Sequence, residues 1–596
     1  MCGIFGFTFR DNDPLSLLKK MGETQQHRGP DGDGYYVDDT VSLGMRRLSI
    51  IDIEHGQQPF YNLDRTVVVI CNGEIYNYIE LREELVKKGH IFKTHSDVEV
   101  LPYLYDEYGI DFINKLNGMY SIALYDKKEE KVFLIRDRLG IKPLYYAVVD
   151  NNLIFSSELK SIFVTDRVSK EINFDALSTY LELMYIPAPM SPFRSISKLP
   201  SGSYLKWSNG NYEIRHYWQL SLPYNTIHNE ENAMQQLKTV LMDSMRIEMR
   251  SDVPVGSFLS GGIDSSAVTA IAAIQTETPL STFHISWGNA EGKFDETEQA
   301  IMVSRQYGTR HFVKNVFDKE LITDLPKLIW HLEEPFADGA LVFTYGLAKE
   351  AAKHVKVILS GAGGDELFGG YSHHVEYPLL KSIIGKFIYD KNPKYSYYDK
   401  WKPRDSKRWR GFFDWFRPSV YRTEFDELYK INRSKDMLNA IMLSDLRWYL
   451  QDDILFLNDK MTMAVSLECR VPLLDHRIVE VSIAISSDLK VNKGEKKYIF
   501  KKLMEKYLPN EVLYRPKEGF GAPIGLWVNT YKSVYFDRVL QNGYLMRKEM
   551  INSSMLFPLI RKQNLSINEA WQYWKILILD VWMQLYIEGR HYASIF

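Results

Sequence analysis

The sequence of 596 residues contains little cysteine, with only Cys2, Cys71 and Cys469. These three residues cannot form a framework of disulfides, and none lies in a CxxC pair or beside a histidine at metal-ligand spacing. The scarcity excludes a disulfide-stabilised fold and a cysteine-ligated metal centre. It also predicts a reducing, cytoplasmic location.

Long apolar runs and a strong excess of charge are missing too. No stretch approaches the roughly 18 consecutive apolar residues of a membrane helix, and the first residues, "MCGIFGFTFR", lack the features of a signal peptide. The formal net charge of −3 gives no global attraction to nucleic acid or to an anionic membrane, so we expect neither as a partner. A chain of 596 residues is too long for one core and predicts two or three domains.

The sequence pattern changes near residue 210. Before it, apolar runs such as "TVVVICNG" and "MYSIALYD" predict strands of an α+β domain, and "NYIELREELVKKG" predicts a helix with a capping box of Asn77 and Glu80 and a stop at Gly89. After it, apolar strands alternate with helical patterns, which is typical of a doubly wound, mostly parallel α/β sheet. We therefore expect domains at residues 1–209 and 210–596.

Two aromatic-rich segments are predicted to be structural. Residues 391–418 mix Lys and Arg with aromatics, as single-strand nucleic-acid binders do, but they contain no nucleic-acid motif, and a helical surface insertion is favoured. Near the end of the chain, Trp571, Trp574 and Leu577 follow helical spacing, which predicts packed core rather than a cofactor site.

The strongest local motif is "SFLSGGIDSS", residues 257–266. An apolar strand runs into two glycines and then into a helix that opens with Asp264, Ser265 and Ser266. Glycine lets the backbone approach a ligand closely, and the free amides of the first helical turn favour an anion. The motif lacks the lysine of a P-loop, so it does not predict γ-phosphoryl transfer and is similar to the pyrophosphate-binding loop of ATP pyrophosphatases.

A second glycine-rich loop follows a strand in "VILSGAGGDELFGGY" and contains Asp365. In a parallel sheet both loops end at the same edge, so Asp264 and Asp365 are predicted to share a Mg²⁺ ion that offsets pyrophosphate charge. The alternative is that Asp365 caps a helix, and the two roles are compatible.

Cys2 is a candidate nucleophile. If Met1 is removed, this residue carries a thiol and an α-amine, with reference pKa values of about 8.5 and about 7.7 to 8.0. The amine can take the thiol proton, which is how N-terminal nucleophile hydrolases act without a histidine base. The alternative is a surface chain end with one small residue.

Four further residues suit hydrolysis of a glutamine amide. Asn72 and Gly73 end a predicted strand and could stabilise an oxyanion. Arg47 could bind an α-carboxylate and Asp97 an α-ammonium group. Each has a simpler alternative, because Asn-Gly is also a common hairpin turn and surface Arg or Asp usually contacts water.

Together these residues resemble the glutamine-hydrolysing asparagine synthetases, in which a class II glutamine amidotransferase domain is fused to an ATP pyrophosphatase domain. The resemblance runs in the family's order over most of the chain, except mainly residues 375–440 and the last sixty or so. The segments that carry it are "MCGIFG", "HRGPDG", "RRLSIID", "CNGEIYN", "HSDVEV", "NGMYSIALYD", "RDRLGIKPLYY", "FSSELK", "SGGIDSS", "EEPFAD", "GGDELFGGY", "DKMTMAVSLECRVPLLDHR" and "RPKEGFGAPIG".

The resemblance implies a layered αββα N-terminal nucleophile hydrolase domain, an ATP pyrophosphatase domain and a homodimer. It implies Cys2 as nucleophile, with Asn72 and Gly73 as the oxyanion hole, and Lys497 as the synthetase lysine, although Lys496 is adjacent. Around glutamine it implies Arg47, Ile50, Ile51, Asn72, Gly73, Glu74 and Asp97. For ATP it implies Leu259, Ser260, Gly261, Gly262, Asp264, Ser265, Ser266, Ile285, Ser360 and Gly361.

The implied reaction has two halves. Glutamine is hydrolysed at Cys2 through a thioester, and the ammonia attacks an acyl-adenylate of aspartate, giving asparagine, glutamate, AMP and pyrophosphate. Because ammonia in water near neutral pH is mostly protonated, a sequestered path between the two sites is expected.

One residue departs from the family's pattern. Ala362 stands between the glycines of the second loop, where the resemblance implies an acidic residue. The same machinery could therefore amidate another carboxylate, such as a sugar uronate or a peptide. A purine or aminosugar amidotransferase would need a different second domain, and a non-catalytic protein would not need Cys2, Arg47 or Asp97.

Overall fold

The computed structural model describes residues 2–223, 226–286, 296–315, 322–376, 406–417, 436–515 and 522–596. The first part of the chain forms two antiparallel sheets, and the second part forms a parallel sheet. Both predicted fold classes are therefore confirmed. Within the described residues, no helix combines the length and the hydropathy needed to cross a membrane.

The two antiparallel sheets have the strand orders β10-β8-β9-β1-β3-β2 and β12-β11-β7-β6-β5-β4. Their strands, in chain order, are β1 (Cys2–Phe7), β2 (Gly32–Val37), β3 (Ser42–Arg47), β4 (Phe60–Tyr61), β5 (Val67–Ile75), β6 (Gly118–Asp126), β7 (Lys131–Arg136), β8 (Tyr145–Val149), β9 (Asn152–Ser156), β10 (Ser197–Lys198), β11 (Ser203–Ser208) and β12 (Asn211–His216). The β11–β12 hairpin spans the predicted domain boundary at residues 209 and 210.

The sheets pack face to face and are covered by helices on both outer faces. Side chains such as Ile4 and Ile70 fill the space between the sheets. Leu18 and Phe5 belong to the core outside the first sheet, and Leu85 belongs to the core outside the second. Because alternate residues of a strand point to opposite faces, each sheet has an apolar residue on both sides, which gives the αββα layers. The helices here are Pro14–Glu23, Tyr78–Lys87, Val100–Tyr108, Leu159–Phe163 and Phe174–Leu183, with a 3₁₀ helix at Gly109–Lys115.

The predicted capping box is wrong, although the helix it introduces is present. Asn77 is the N-cap residue of the helix Tyr78–Lys87, but its side chain makes no capping hydrogen bond. Instead its carboxamide donates to the carbonyl of Lys115 (2.9 Å) and accepts from the main-chain N–H of Asn117 (2.9 Å). A tertiary contact has thus replaced the local one.

The parallel sheet contains β13 (Val255–Phe258), β14 (Ser281–Ser286), β15 (Arg310–Asn315), β16 (Val357–Leu359) and β17 (Glu468–Arg470). Its order is β15-β14-β13-β16-β17. The chain therefore adds β14 and β15 on one side of β13 and then crosses over to add β16 and β17 on the other side. A crevice at such a switch point, beyond the carboxyl ends of the strands, is where open α/β sheets bind ligands. Both glycine-rich loops begin at this point, one after β13 and the other after β16.

The remaining elements surround this sheet. Strands β18 (Val491–Asn492) and β19 (Glu495–Lys496) form a hairpin beside the crevice. The α-helices are Glu230–Glu248, Ile263–Ile274, Thr297–Tyr307, Leu325–Leu332, Ala340–Ala351, Gly364–Phe368, Ser406–Phe412, Met437–Ser444, Phe456–Met463, His476–Ala484, Ser487–Lys490, Tyr498–Met504, Asn510–Leu513, Ile524–Tyr531, Asp537–Gln541, Tyr544–Arg547, Ser553–Arg561 and Ile567–Tyr586. Two π-helices (Asp445–Leu455 and Lys532–Phe536) and 3₁₀ helices at Pro472–Leu474 and Tyr592–Ser594 complete the described elements.

A buried ionic network joins the two parts of the chain. The guanidinium of Arg28 lies 2.8 Å from a carboxylate oxygen of Asp459 and 3.3 Å from one of Glu158. Nearby, the Lys460 ammonium lies 2.5 Å from the Glu333 carboxylate. All five side chains are almost completely buried, so solvent is excluded from this contact between the two parts.

The aromatic-rich segments have two outcomes. Trp574 and Leu577 are core residues, as predicted, whereas Trp571 is only half-buried and lines the large cavity described below. Of the predicted insertion, 406–417 is described; Trp409, Phe412, Phe413 and Phe416 are buried there, and Trp415 is partly buried. Residues 391–405 and 418 lie outside the described residues.

Candidate active sites

Cys2 and Asn72 meet between the two antiparallel sheets. Cys2 opens β1 and is 5% exposed, and its main-chain nitrogen donates to Asn72 Oδ1 at 3.0 Å. The carbonyl of Cys2 accepts a hydrogen bond from Arg28 Nε at 3.1 Å. Since the oxygen of the Asn72 carboxamide faces this nitrogen, its NH₂ group faces another direction, 3.4 Å from Ser157 Oγ. The structure thus brings Cys2 and Asn72 together, with the oxygen of the Asn72 carboxamide, and not its NH₂ group, against the Cys2 nitrogen.

The environment of the Cys2 thiol opposes its ionisation. Burial raises the pKa of the thiol, while a hydrogen bond with the main chain of Leu48 and the charge of Arg47 act in the other direction. A buried thiol of this kind is a weak nucleophile until a neighbouring base takes its proton.

Gly73 occupies a conformation and a space that only glycine fits. Its φ is +149°, and a Cβ atom built on it would lie 1.9 Å from the carbonyl oxygen of Met119 on the neighbouring strand. The strand β5 therefore passes β6 closely at Gly73, the residue after Asn72. This geometry excludes a simple hairpin turn at Asn72-Gly73, since both residues lie within β5.

We expect Gly73→Ala to lower stability and also the rate of the glutamine hydrolysis that the sequence predicts for this site. The strained φ alone costs on the order of 1–3 kcal/mol, and the collision with Met119 must also displace β5 or β6. The measurement is the unfolding midpoint together with the rate of glutamate release. Gly89→Ala is the matched control, because Gly89 also has a positive φ (+98°) but no atom within 4 Å of the added Cβ. Equal losses in both variants would show that the Met119 contact is unimportant.

Arg47 pairs with Cys2 across β1 and β3, and main-chain carbonyls hold its guanidinium. Nη2 donates to Ile51 (3.1 Å) and Asp52 (2.7 Å), and Nη1 donates to Ile53 (3.1 Å). A guanidinium has five N–H donors, so these bonds fix its plane and leave donors for a carboxylate. Ile50 and Ile51, which the sequence also predicted near glutamine, are buried beside it.

Glu74 and Asp97 bring two buried carboxyl groups to the same region. Asp97 accepts a hydrogen bond from the main-chain N–H of Ile75 at 2.8 Å, and burial raises its pKa to about 6. Burial raises the pKa of Glu74 well above its usual range, and the charges of Glu468 and Asp97 raise it further. Two such groups can bind an ammonium ion, since a cation stabilises both as carboxylates.

A second candidate site is a cavity of about 840 Å³ at the switch point of the parallel sheet. Pockets for small molecules span about 300–1,000 Å³, so this one has room for a nucleotide and a second substrate. Most of the residues predicted to bind ATP line it, but Gly261 and Ser266 are not among its lining residues. Those that do are Leu259, Ser260, Gly262, Asp264, Ser265, Ile285, Ser360 and Gly361.

The two glycine-rich loops touch each other at the floor of the cavity. A Cβ atom on Gly361 would lie 2.5 Å from the main-chain nitrogen of Ser265, and one on Gly364 would lie 2.3 Å from the carboxyl group of Asp264. The glycines of the second loop thus serve the close approach to the first loop. Ser265 Oγ also lies 2.9 Å from Ser260 Oγ, which fixes the first loop internally.

Lys497 lies between the carboxylates of the two loops. Its ammonium contacts Asp264 and lies 2.7 Å from Asp365 Oδ1, and the side chain is 3% exposed. Burial lowers the pKa of this lysine, but Asp264 and Asp365 more than compensate and hold it above its usual range. Asp264 and Asp365 therefore meet at one point, as the sequence predicted, and Lys497 stays charged there.

Acidic residues for which the sequence predicted no role line another part of the cavity. Asp338, Glu366 and Asp453 are lining residues, and Glu366 accepts a hydrogen bond from the Tyr371 hydroxyl. Burial raises the pKa of Glu366 to about 8, and that of Asp453 well above its usual range. These residues come together only in the fold, since more than 100 positions of the sequence separate Asp338 from Asp453.

Arg28 and Arg470 are two further residues whose positions the sequence did not predict. Each lies in a motif that carried the family resemblance, "HRGPDG" or "ECRVPLL". Arg28 contacts the main chain of Cys2, and Arg470 lies 3.6 Å from Glu74. The sequence signal that could have drawn attention to both is an arginine inside a motif that carries the family resemblance.

Two family models match most of the chain, and several curated proteins are similar to nearly all of it. Residues 1–218 match the glutamine amidotransferase domain, and residues 236–584 match asparagine synthase. Asparagine synthetase [glutamine-hydrolyzing] 1 of Bacillus subtilis is 34% identical over 99% of this chain and 98% of its own length. A putative asparagine synthetase of Mycobacterium tuberculosis is 32% identical over 99% and 98%, and asparagine synthetase B of Escherichia coli is 29% identical over 90% and 85%.

The fold and the two sites define a class II glutamine amidotransferase joined to an ATP-using synthetase. The chain belongs to the asparagine synthase family.

Proposed function

We propose that the protein is a glutamine-hydrolysing asparagine synthetase that makes asparagine, glutamate, AMP and pyrophosphate from aspartate, glutamine and ATP. The observation that carries the proposal is that one chain holds both a buried Cys2 beside Asn72 and a cavity where Lys497 meets Asp264 and Asp365. Either site alone would fit many enzymes, whereas the pair fits transfer of nitrogen from glutamine to an adenylated carboxylate.

In the glutaminase half, Cys2 attacks the side-chain amide of glutamine. Removal of Met1 leaves an α-amine on Cys2, held by Asn72 Oδ1, and this amine takes the thiol proton and passes it to the departing ammonia. The NH₂ group of Asn72 and the N–H of Gly73 stabilise the oxyanion. Arg47 binds the α-carboxylate of glutamine, and Glu74 with Asp97 binds its α-ammonium group.

In the synthetase half, the acceptor carboxylate attacks the α-phosphorus of ATP and pyrophosphate leaves. The amides of the first loop cradle the phosphates, and the ammonium of Lys497 offsets charge that develops on them. The carboxylates of Asp264 and Asp365 meet at one point, and such oxygen ligands suit Mg²⁺, so these two residues would hold the ion. When bound, Mg²⁺ would neutralise charge on the leaving pyrophosphate.

The acidic part of the cavity favours an acceptor that carries an amine. Glu366, Asp338 and Asp453 can bind an ammonium group such as that of aspartate, and the three are close enough for Asp453 to sense the charge of the other two. A sugar uronate has no cation to place there, so the carboxyl groups favour aspartate over this alternative. Ala362, which also lines the cavity, contributes no charge of its own.

The proposed path for ammonia follows an apolar cluster at the contact between the two parts of the chain. Ile50 and Met119 from the first part pack with Val357 and Met463 from the second. An apolar surrounding keeps ammonia neutral and therefore nucleophilic, whereas bulk water would protonate it.

The proposed acceptor can be tested with a panel of carboxylates. Purified protein is incubated with glutamine, ATP and Mg²⁺ plus aspartate, a sugar uronate or a peptide with a free carboxylate, and AMP, pyrophosphate and the amide are quantified. We expect asparagine in equal amount to AMP, with no amidation of the uronate. Amidation of another carboxylate without any asparagine would contradict the proposal while leaving the two-site mechanism intact.

A further inference from the structure

Arg470 lies next to both candidate sites, with its main chain beside one and its side chain beside the other. It ends β17, is completely buried, and pairs with Leu359 at the end of β16. Its carbonyl accepts a hydrogen bond from the main-chain N–H of Ser360, the first residue of the second glycine-rich loop, at 2.9 Å. Its side chain extends the other way, toward the first part of the chain and Glu74.

The guanidinium of Arg470 is held on two sides. Nε donates to Glu468 Oε1 at 2.7 Å, and Nη1 donates to the main-chain carbonyls of Glu248 (2.5 Å) and Arg250 (2.7 Å). Because the guanidinium is planar, these bonds fix where the remaining nitrogen, Nη2, must point. That nitrogen faces Glu74.

Nη2 of Arg470 and Oε2 of Glu74 lie 3.6 Å apart, and both atoms are buried without a hydrogen-bond partner among the described residues. Buried donors and acceptors are rarely left unpaired, and such an atom marks a place that a ligand or a small movement completes. A shift of a few tenths of an ångström would make this pair a charge-assisted hydrogen bond.

Glu74 needs a cation in order to be a carboxylate in this position. It is 4% exposed, and the nearby carboxyl groups of Asp97 and Glu468 oppose its ionisation. An isolated buried carboxylate is costly and takes up a proton instead. Arg470 is the arginine that opposes this effect at Glu74.

We propose that Arg470 is a positioning residue of the glutamine site: it orients Glu74, and Arg470 and the arriving α-ammonium group of glutamine together stabilise the carboxylate form of Glu74. The inference rests on the proposed function, in which Glu74 contacts glutamine. It means that a strand of the synthetase part completes the glutaminase site. A protonated Glu74 could accept only a weaker, neutral hydrogen bond from the substrate, so glutamine affinity depends on Arg470.

The test is a double-mutant cycle on the full chain with Arg470→Met and Glu74→Gln, read as kcat and KM for glutamine hydrolysis. We expect Arg470→Met to raise the KM for glutamine about tenfold or more, the equivalent of one charge-assisted contact, with a smaller change in kcat. In the Glu74→Gln background the same change should have little further effect, because the carboxylate it supports is already gone. Synthesis from ammonium salt, which bypasses glutamine, reports that each variant is folded.

Two further variants make the result decisive. Arg470→Lys keeps the charge without the fixed fork and should recover part of the loss, and it replaces Arg470→Met in the cycle if the latter does not fold. Arg477→Met removes an arginine that pairs with Asp475 and Asp243, each at 2.6 Å, and should leave the KM for glutamine unchanged.

Additive effects of Arg470→Met and Glu74→Gln, or an unchanged KM in the Arg470 variant, would overturn the inference alone. Absence of glutamine hydrolysis by the unmodified chain would instead contradict the proposed function itself, so the two failures can be told apart.

Discussion

Cys2→Ala is expected to abolish synthesis from glutamine while leaving synthesis from ammonium salt. Loss of the nucleophile costs about 10⁶-fold in a serine hydrolase, so glutamate release should fall below detection. The cavity that holds Lys497 and Asp264 lies in the other part of the chain, and we expect it to accept ammonia from solution. The measurement compares AMP formation with glutamine and with an ammonium salt as nitrogen source.

Cys71→Ala is the matched control for this result. Cys71 lies on β5 and is also a buried thiol. It belongs to the core on the helix-covered face of its sheet, whereas Cys2 faces the space between the two sheets. This variant should keep both activities. Equal loss of the two activities in Cys2→Ala would contradict the separation of the sites. Intact mass adds a check, because a retained Met1 would block the amine that we propose as the base.

Lys497→Met is expected to give the opposite pattern, with synthesis lost from both nitrogen sources and glutamine hydrolysis retained. The ammonium of Lys497 is shared by Asp264 and Asp365, and one electrostatic contact to a transition state is worth about 10²–10³-fold in rate. Removing it also leaves two carboxylates facing each other where pyrophosphate must bind. Release of glutamate and of AMP, measured on the same sample, separates the two halves.

Lys496→Met is the neighbouring control. Lys496 ends β19 and also lines the cavity, but Lys497 is the lysine in contact with both carboxylates. We expect the Lys496 variant to keep most of its synthetase activity. If Lys496→Met abolished synthesis and Lys497→Met did not, the assignment of the synthetase lysine would be reversed.

The sequence predicted the elements better than their junctions. The run "TVVVICNG" became β5 and "MYSIALYD" became β6, because a buried strand needs apolar residues on both faces whatever surrounds it. The placement of Asp264 and Asp365 was predictable for a similar reason, since parallel strands bring their carboxyl ends to one edge. Local pattern and global fold agree at these positions.

Other features depend on contacts that no local pattern contains. Asn77 has the right type and spacing for a capping box, yet its carboxamide binds the distant main chain at Lys115 and Asn117. Trp571 follows the spacing of the core but lines the cavity, because the helix turns one edge toward it. The position of Arg470 beside Glu74 depends on how two domains pack, and nearly 400 positions separate them.

The ionic contacts of Arg28 and Lys460 restrict how this protein can be engineered. Cutting the chain after the amidotransferase part would remove Asp459 from Arg28 and Lys460 from Glu158. Arg28 and Glu158 would then lose ion-pair partners that they have in the buried interior. Removing one partner of a buried ion pair costs about 3–5 kcal/mol. A chimera that borrows either half from a relative must therefore bring matching charges on both sides. The two proposed reactions are chemically separate, but the two parts of the chain depend on each other's buried charges for stability.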